Sequence, residues 1–479
     1  MPAPALEYES IASLSEHIRT RSLGPVELAQ ALLSRIDSLD SRLRAFIRVV
    51  PEHALAQARA AEQAIRGGAR IGPLCGIPYA AKDLFDVQGM PTTAGTHLLA
   101  GNIAADDSTV VRKLAAAGMV LTGKTHTVQF AFGAPGLNHD HGTPHNPWQR
   151  EPHAPGGSSS GSAVAVAAGL VPMALGTDTG GSVRVPAALC GIVGLKTTIG
   201  RISRAGVYPL SWTLDSVGPI TRTVEDAALV FQAMQGEDKR DESTAGIEPL
   251  DALRGLRDGV NGLRIGIGET VFFDDVDAEL DKAVRESGQV FKTLGARLEG
   301  IEVPEAAAAW AEKHRPLLIP AEGCVTNREL LDNHLDELDP VIGPRMLGGR
   351  SLSTPDYVAL LRRYAQLRDS VQRTLSHIDA FIVPTTMEPA WPLCKIDATP
   401  ESYLDYNMRV HRNTGIGNIL NLCAVSLPCG FTKTGLPIGL MVYAKPFQED
   451  MALRVAYAYE QATQWRMRRP ELASAGVLD

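Results

Sequence analysis

The chain has 479 residues, of which 44% are apolar and 21% charged, and a net charge of −8 at neutral pH. This is the composition of a globular protein with a large buried core. The acidic balance argues against broad binding to nucleic acid or anionic membrane, and the longest apolar runs, such as Ala163–Ala168, fall far short of a bilayer span.

The N-terminus, MPAPALEYES, has neither the basic nor the apolar segment of a secretion signal. Cys75, Cys190, Cys324, Cys394, Cys423 and Cys429 are scattered without CxxC spacing, which predicts reduced thiols in a cytoplasmic protein. Residues 10–66 read as helices: Ser10 is placed to cap the first, Pro25 to open the next, and Val26, Leu28, Ala29, Leu32, Leu33 and Ile36 recur at helical spacing. A helical layer over about 1–70 is expected. From Gly72 the texture changes. Ile77–Ala81, Met119–Thr122 and Val171–Thr177 read as strands, alternating with helices over 110–117 and 161–168. That alternation predicts an α/β fold, a sheet with helices on its faces. Residues 134–157 form a Gly/Pro/His-rich loop of the kind that lines a site. A helix over 223–237, a strand at 263–268, a largely helical stretch over 277–375, strands at 382–384, 424–428 and 438–442, and a last helix over 449–465 complete the order of elements. No Pro/Ser linker divides the chain, so one domain spanning 1–479 is expected, with its chemistry concentrated in 72–235.

The residues that carry chemistry cluster in that region. Lys82 ends an apolar segment, GIPYAAK, where a buried amine loses its charge and becomes available as a base. Ser158 and Ser182 each follow a glycine pair. The second corner, Thr179-Gly180-Gly181-Ser182, has no bulk before its serine, so successive N–H groups can converge on one concavity, as an oxyanion hole requires. Asp178 and Arg184 flank that corner and are expected to brace it as a buried ion pair.

Other patterns are set aside on physical grounds. Gly118–Thr125 matches the P-loop expression, but its intervening residues are themselves strand-like, which leaves no loop to hold a phosphate. Gly157-Ser158-Ser159-Ser160-Gly161 matches the nucleophile elbow centred on Ser159, yet Glu151–Pro155 before it is a poor strand. His139, Asp140, His141 and His145 do not share a helical face, and a metal site is not expected there.

Lys82, GGSSSGS (156–162), GTDTGGSVRVPAALCGIVGLK (176–196), FIVPTT and SLPCGFTKTGLPIGLMV (426–442) together resemble the amidase signature family, over nearly the whole chain. The resemblance implies a mixed β-sheet core covered by helices on both faces and a cis peptide bond between Gly157 and Ser158. It further implies a triad with Ser182 as nucleophile, Ser158 as bridge and Lys82 as base, supported by Ser159, Asp178 and Arg184. The backbone N–H groups of Thr179, Gly180, Gly181 and Ser182 are the expected oxyanion donors. The implied activity is hydrolysis of a carboxamide through an acyl-enzyme, with no metal or organic cofactor and a small-molecule amide as substrate. A homodimer is left open.

The stretch VGLKTTIGRISRAGVYPLSWTLDSVGPITRTVEDAAL is similar to the glutaminase subunits of tRNA-dependent amidotransferases, which is the alternative function. His411, however, aligns where those subunits carry an acid that reads glutamine's amino group. Trp212, Phe130, Phe132 and Trp391 are the expected aromatic lining of the acyl pocket, and small aliphatic or aryl carboxamides, indoleacetamide-like compounds included, are the expected substrates.

Overall fold

The computed structural model describes residues 6–69 and 71–472, so the ends of the expected 1–479 domain, including the first five residues of the MPAPALEYES segment, lie outside the described residues. Among the described residues eleven strands form one sheet. They are β1 (Phe46–Val49), β2 (Pro78–Lys82), β3 (Val120–Thr125), β4 (Met173–Asp178), β5 (Val193–Lys196), β6 (Ser216–Thr221), β7 (Arg264–Gly268), β8 (Arg297–Ile301), β9 (Ala380–Pro384), β10 (Cys423–Phe431) and β11 (Pro437–Ala444). Their order is β1-β3-β2-β4-β6-β5-β10-β11-β9-β7-β8. The sheet is mixed: β2 runs parallel to both β3 and β4, whereas β4–β6, β5–β6, β5–β10 and β10–β11 are antiparallel.

Both faces are covered, which is why the central strands are apolar on both sides rather than alternating with polar residues. Met173 and Leu175 of β4 face a core shared with the helices Val224–Met234, Ala278–Thr293 and Glu449–Ala462. Ala174, between them, faces the opposite layer, with the helices Ser160–Ala167 and Arg184–Cys190. Ser160–Ala167 is buried along its whole length. Its side chains are all small, so it fits between the sheet and the N-terminal helices, as expected of a helix without a polar face. Among the described residues no helix is long and apolar enough to cross a membrane.

The N-terminal helices form as expected. Ser10 accepts a hydrogen bond from the N–H of Ser13, and Pro25 opens the helix Pro25–Leu43. The helical layer nonetheless contains β1, and the stretch 277–375 contains β8 at the far edge of the sheet. The residue pattern also passes over β5, β6 and the helix Pro400–Ile419. Each of the last three carries internal glycines at points of close approach. In β6, a Cβ on Gly218 would lie 1.9 Å from the carbonyl oxygen of Leu195.

Parallel pairing of β2 with β4 brings their C-terminal ends side by side, and the loops that leave those ends build the site. The helix Ser160–Ala167 is pressed against this region at its first turn. A Cβ on Gly161 would lie 2.1 Å from Ala45 O and 2.5 Å from His126 N, both backbone atoms. Overpacking of this kind typically costs about 1–3 kcal/mol. Gly161→Ala is therefore expected to lower unfolding free energy by at least about 2 kcal/mol in chemical denaturation; an unchanged midpoint would contradict the close approach.

Candidate active site

Lys82 is the last residue of β2 and Thr177 lies near the end of β4. Lys82 is fully buried, and its Nζ lies 2.7 Å from Ser158 Oγ and 2.7 Å from Thr177 Oγ1. Burial strips the amine of water and lowers its pKa from 10.5 to about 7, against the opposing charges of Asp215 and Asp178. An amine in this position is readily uncharged, with a lone pair available to a hydroxyl proton. Ser158 is presented by a cis Gly157–Ser158 peptide. Next to it, Ser159 donates its backbone N–H to Ser182 O at 3.3 Å, and its Oγ lies 3.4 Å from Thr177 O. The two serine corners are thus tied together through backbone atoms.

The loop Thr179–Ser182 leaves the end of β4 and enters the helix Arg184–Cys190. Gly181 has φ +131°, and a Cβ there would lie 2.2 Å from Thr414 Oγ1, so only glycine fits. Asp178 folds back under the loop. Its carboxylate accepts from the N–H groups of Gly181 at 2.8 Å and Val183 at 3.2 Å, from Arg184 Nε and Nη2 at 3.0 Å each, and from Asn418 Nδ2 at 2.8 Å. Burial alone would raise this carboxyl; the adjacent Arg184 guanidinium outweighs it and holds the group well below the usual carboxylate range. Arg184 in turn donates to Tyr443 OH, Thr414 O and Asn418 Oδ1. The expected ion pair is present, with both side chains fully buried. One expectation is corrected: the Gly181 N–H is engaged by Asp178, because the carboxylate that braces the loop lies beneath it. That leaves the N–H groups of Thr179, Gly180 and Ser182, and not that of Gly181, to be weighed as oxyanion donors.

Two cavities adjoin the loop. One, of about 60 Å³, opens beside Ser182 and is lined by Phe132, Gly180, Arg345, Asn407 and His411. Arg345 stacks over the Phe132 ring at 4.2 Å and donates to Phe132 O at 3.1 Å. Its closest contacts are a carbonyl and ring faces, with the Tyr403 hydroxyl and the Asp339 carboxylate also acting on it, and it brings a guanidinium to the cavity wall. His411 hydrogen-bonds through Nδ1 to Asn407 O. Because a carbonyl can only accept, Nδ1 carries the hydrogen and Nε2 is an acceptor. Burial lowers the imidazole to about 4, which keeps it neutral. The second cavity, of about 350 Å³, is lined by Thr177, Thr179, Tyr208, Trp212 and Asp215 among others.

A family model described as Amidase matches residues 27–453. The chain belongs to the amidase signature family. It is 37% identical over 494 residues to the A subunit of the glutamyl-tRNA(Gln) amidotransferase from Chloroflexus aggregans, covering 98% of this chain and 99% of that one. Among solved structures it is similar to the A subunit of the glutamyl-tRNA(Gln) amidotransferase from Thermotoga maritima (TM-score 0.82, 31% identity, 98% and 99% of the two chains). It is also similar to the native peptide amidase from Stenotrophomonas maltophilia (TM-score 0.84, 31% identity, 97% and 98%). The protein is an enzyme of the amidase class, acting on carbon–nitrogen bonds of amides.

Not every residue singled out in this amidase belongs to the site. Of the four aromatic residues, Phe132 lines the Ser182 cavity and Trp212 the larger one. Phe130 is buried behind Tyr208, with ring centroids 6.4 Å apart, and Trp391 stacks on Tyr406. Two residues of the histidine-rich loop make structural contacts instead: His139 bridges Asp339 at 2.6 Å and Asp397 at 2.8 Å, and Asp140 pairs with His97. Lys124 of the P-loop match is buried in an ion pair with Asp83 at 2.7 Å. Thr177, Asp215, Arg345 and Asn418 do not stand out in the sequence. Thr177 sits inside the quoted motif, whereas Arg345 lies in a charged helical stretch with nothing to distinguish it.

Removing one partner of a buried pair leaves the other charge uncompensated, at a cost of about 3–5 kcal/mol. Arg184→Met is expected to destabilise the protein by that amount in denaturant unfolding, with Arg184→Lys recovering only part, because lysine lacks the fork that meets Asp178 and Asn418 together. A loss below about 1 kcal/mol would show that the pair does not hold the loop.

Proposed function

We propose that this amidase hydrolyses small carboxamides through an acyl-enzyme on Ser182, with Ser158 as the bridge and Lys82 as the base. The single observation that carries the reading is the fully buried Lys82 amine, 2.7 Å from Ser158 Oγ and lowered to about 7. The uncharged amine draws the Ser158 proton, and Ser158 draws that of Ser182, whose oxygen attacks the amide carbon. Charge developing on the carbonyl oxygen is met by the N–H groups of Thr179, Gly180 and Ser182. The C–N bond breaks as nitrogen takes the proton back along the relay. Water then adds to the ester, releasing a carboxylic acid and restoring Ser182.

The smaller cavity supports an acyl group bearing a carboxylate, because Arg345 supplies a cation there and neutral His411 supplies an acceptor but no anion. A second reading, the glutaminase component of a tRNA-dependent amidotransferase, is favoured by the full-length likeness to proteins of that name. Such a component would work in a cytoplasmic complex and draw ammonia from glutamine. His411 weighs against glutamine, since a neutral imidazole gives an α-ammonium no counter-charge.

Ser182→Ala is expected to abolish turnover and labelling by a fluorophosphonate while melting like the parent protein; near-normal activity would remove the assignment. Because the base acts uncharged, activity is expected to be full above about pH 7 and to fall about tenfold per pH unit below it, a profile read from kcat/KM between mildly acidic and alkaline buffers. His411, at about 4, is neutral across that range and adds no inflection. Glutaramate, which is glutamine without its amino group, is expected to exceed L-glutamine about tenfold in kcat/KM with the purified chain. The reverse preference would favour the amidotransferase reading.

A further inference from the structure

The larger cavity has no part in the chemistry proposed for Ser182, yet it shares walls with the proton relay. Thr177, whose Oγ1 is 2.7 Å from Lys82 Nζ, lines it, and so does Thr179 of the oxyanion loop. Ser182, Arg345 and His411 line the smaller cavity instead. A tetrahedral adduct on Ser182 with its oxygen in the N–H nest has two further substituents, and the geometry allocates them. The nitrogen must receive a proton that comes from Lys82 through Ser158, so it lies on the Lys82–Thr177 side. Whatever that nitrogen carries points into the larger cavity, and the acyl group takes the other.

The two spaces differ in size and in character. The acyl side measures about 60 Å³ and the amine side about 350 Å³. Ammonia needs none of that room. The amine side is also a built pocket. Its apolar wall comprises Leu84, Val207, Tyr208, Leu210 and Trp212, and charged residues, Arg204, Arg240, Asp241 and Glu242, complete the lining with Asp215. Tyr208 is fixed by its hydroxyl, which donates to Asn327 Oδ1 at 2.8 Å, and is backed by Phe130. The loop that carries Trp212 is held by Arg204 Nη1, which donates to Trp212 O at 2.6 Å. Asp215 accepts from Leu210 N and Ser211 N at 2.9 Å and from Thr179 Oγ1 at 2.5 Å, which ties the wall to the Thr179 loop. Trp212 is 53% exposed, an unusual position for so large an apolar residue unless a ligand covers it.

We infer that the preferred substrates are N-substituted amides whose leaving amine carries an aryl or arylalkyl group, lodged between Tyr208 and Trp212, with a small acyl group beside Arg345. This rests on Ser182 as the nucleophile. In the step itself the C–N bond breaks, nitrogen takes the relay proton and leaves as a primary amine, and Ser182 Oγ keeps the acyl group until water releases it as a carboxylic acid.

The test compares primary and N-phenethyl amides of acetic and of glutaric acid with the full-length enzyme, following acid release. For the acyl group turned over faster, the N-phenethyl amide is expected to exceed the primary amide about tenfold or more in kcat/KM. Trp212→Ala is expected to reduce that ratio about fivefold or more, chiefly through KM of the N-phenethyl substrate. Ala205→Trp, which fills the same cavity from another wall, carries the same expectation and serves if Trp212→Ala does not fold. A smaller preference in the parent enzyme, or a ratio that neither variant lowers, overturns the inference. Failure to hydrolyse any of the four amides, or hydrolysis that survives Ser182→Ala, sinks the Ser182 reading and this inference with it, so the two failures are told apart.

Discussion

The withdrawal of one lysine amine from water is the constraint on which the site depends. At the end of β2 the Lys82 amine has hydroxyl oxygens, not a carboxylate, as its hydrogen-bond partners. A carboxylate at that distance would hold the proton on the amine; hydroxyls do not compensate the lost hydration, so the neutral form becomes accessible near neutral pH. Of the two buried acids that oppose this shift, Asp178 is matched to Arg184, and Asp215 is held by the Thr179 hydroxyl and the N–H groups of Leu210 and Ser211. Asp83, next in sequence to Lys82, is matched to Lys124.

The same pairing explains how a loop rich in glycine is held rigid. Glycine frees the backbone of Gly180–Gly181 to turn, and that freedom has to be removed again if N–H groups are to be aimed. Asp178 removes it from beneath, through backbone N–H groups on the loop and the guanidinium of Arg184, while Asn418 and Tyr443 hold the guanidinium from the far side. Thr414 closes on Gly181 so tightly that no side chain fits. The long helix Pro400–Ile419 therefore serves the site twice. Its Thr414 and Asn418 brace the loop, and His411, one turn earlier, sets the polarity of the cavity.

The fold class, the N-terminal helices, the strands β2–β4, β7 and β9–β11, and the bracing pair were legible in residue pattern, because each depends on neighbours in sequence or on a motif with its own chemistry. Two of the missed elements share a physical cause. In β6 and in the helix Pro400–Ile419, glycine reads as a turn, whereas Gly218 and Gly417 are there because the Leu195 carbonyl and the Tyr443 hydroxyl come within 2.3 Å of where a Cβ would stand. Close approach by a distant segment leaves the same mark on a sequence as a bend.

Taken alone, the sequence determines the family and the sheet-and-helix class, and it singles out Lys82, Ser158, Ser182, Asp178 and Arg184 for the proposed chemistry, because motifs of small residues around polar groups are local. Only the tertiary structure decides that Thr177 shares Lys82 and that Gly181 is claimed by Asp178. It alone sets a small cavity with Arg345 beside Ser182 and a larger one, with Tyr208 and Trp212 in its wall, on the other side of the Thr179 loop. Those features arise where Arg345, His411, Tyr208 and Asp215, far apart along the chain, are brought together by a sheet whose strand order departs from chain order. Desolvation and charge at a point in space are sums over everything folded around it, and no stretch of sequence contains that sum.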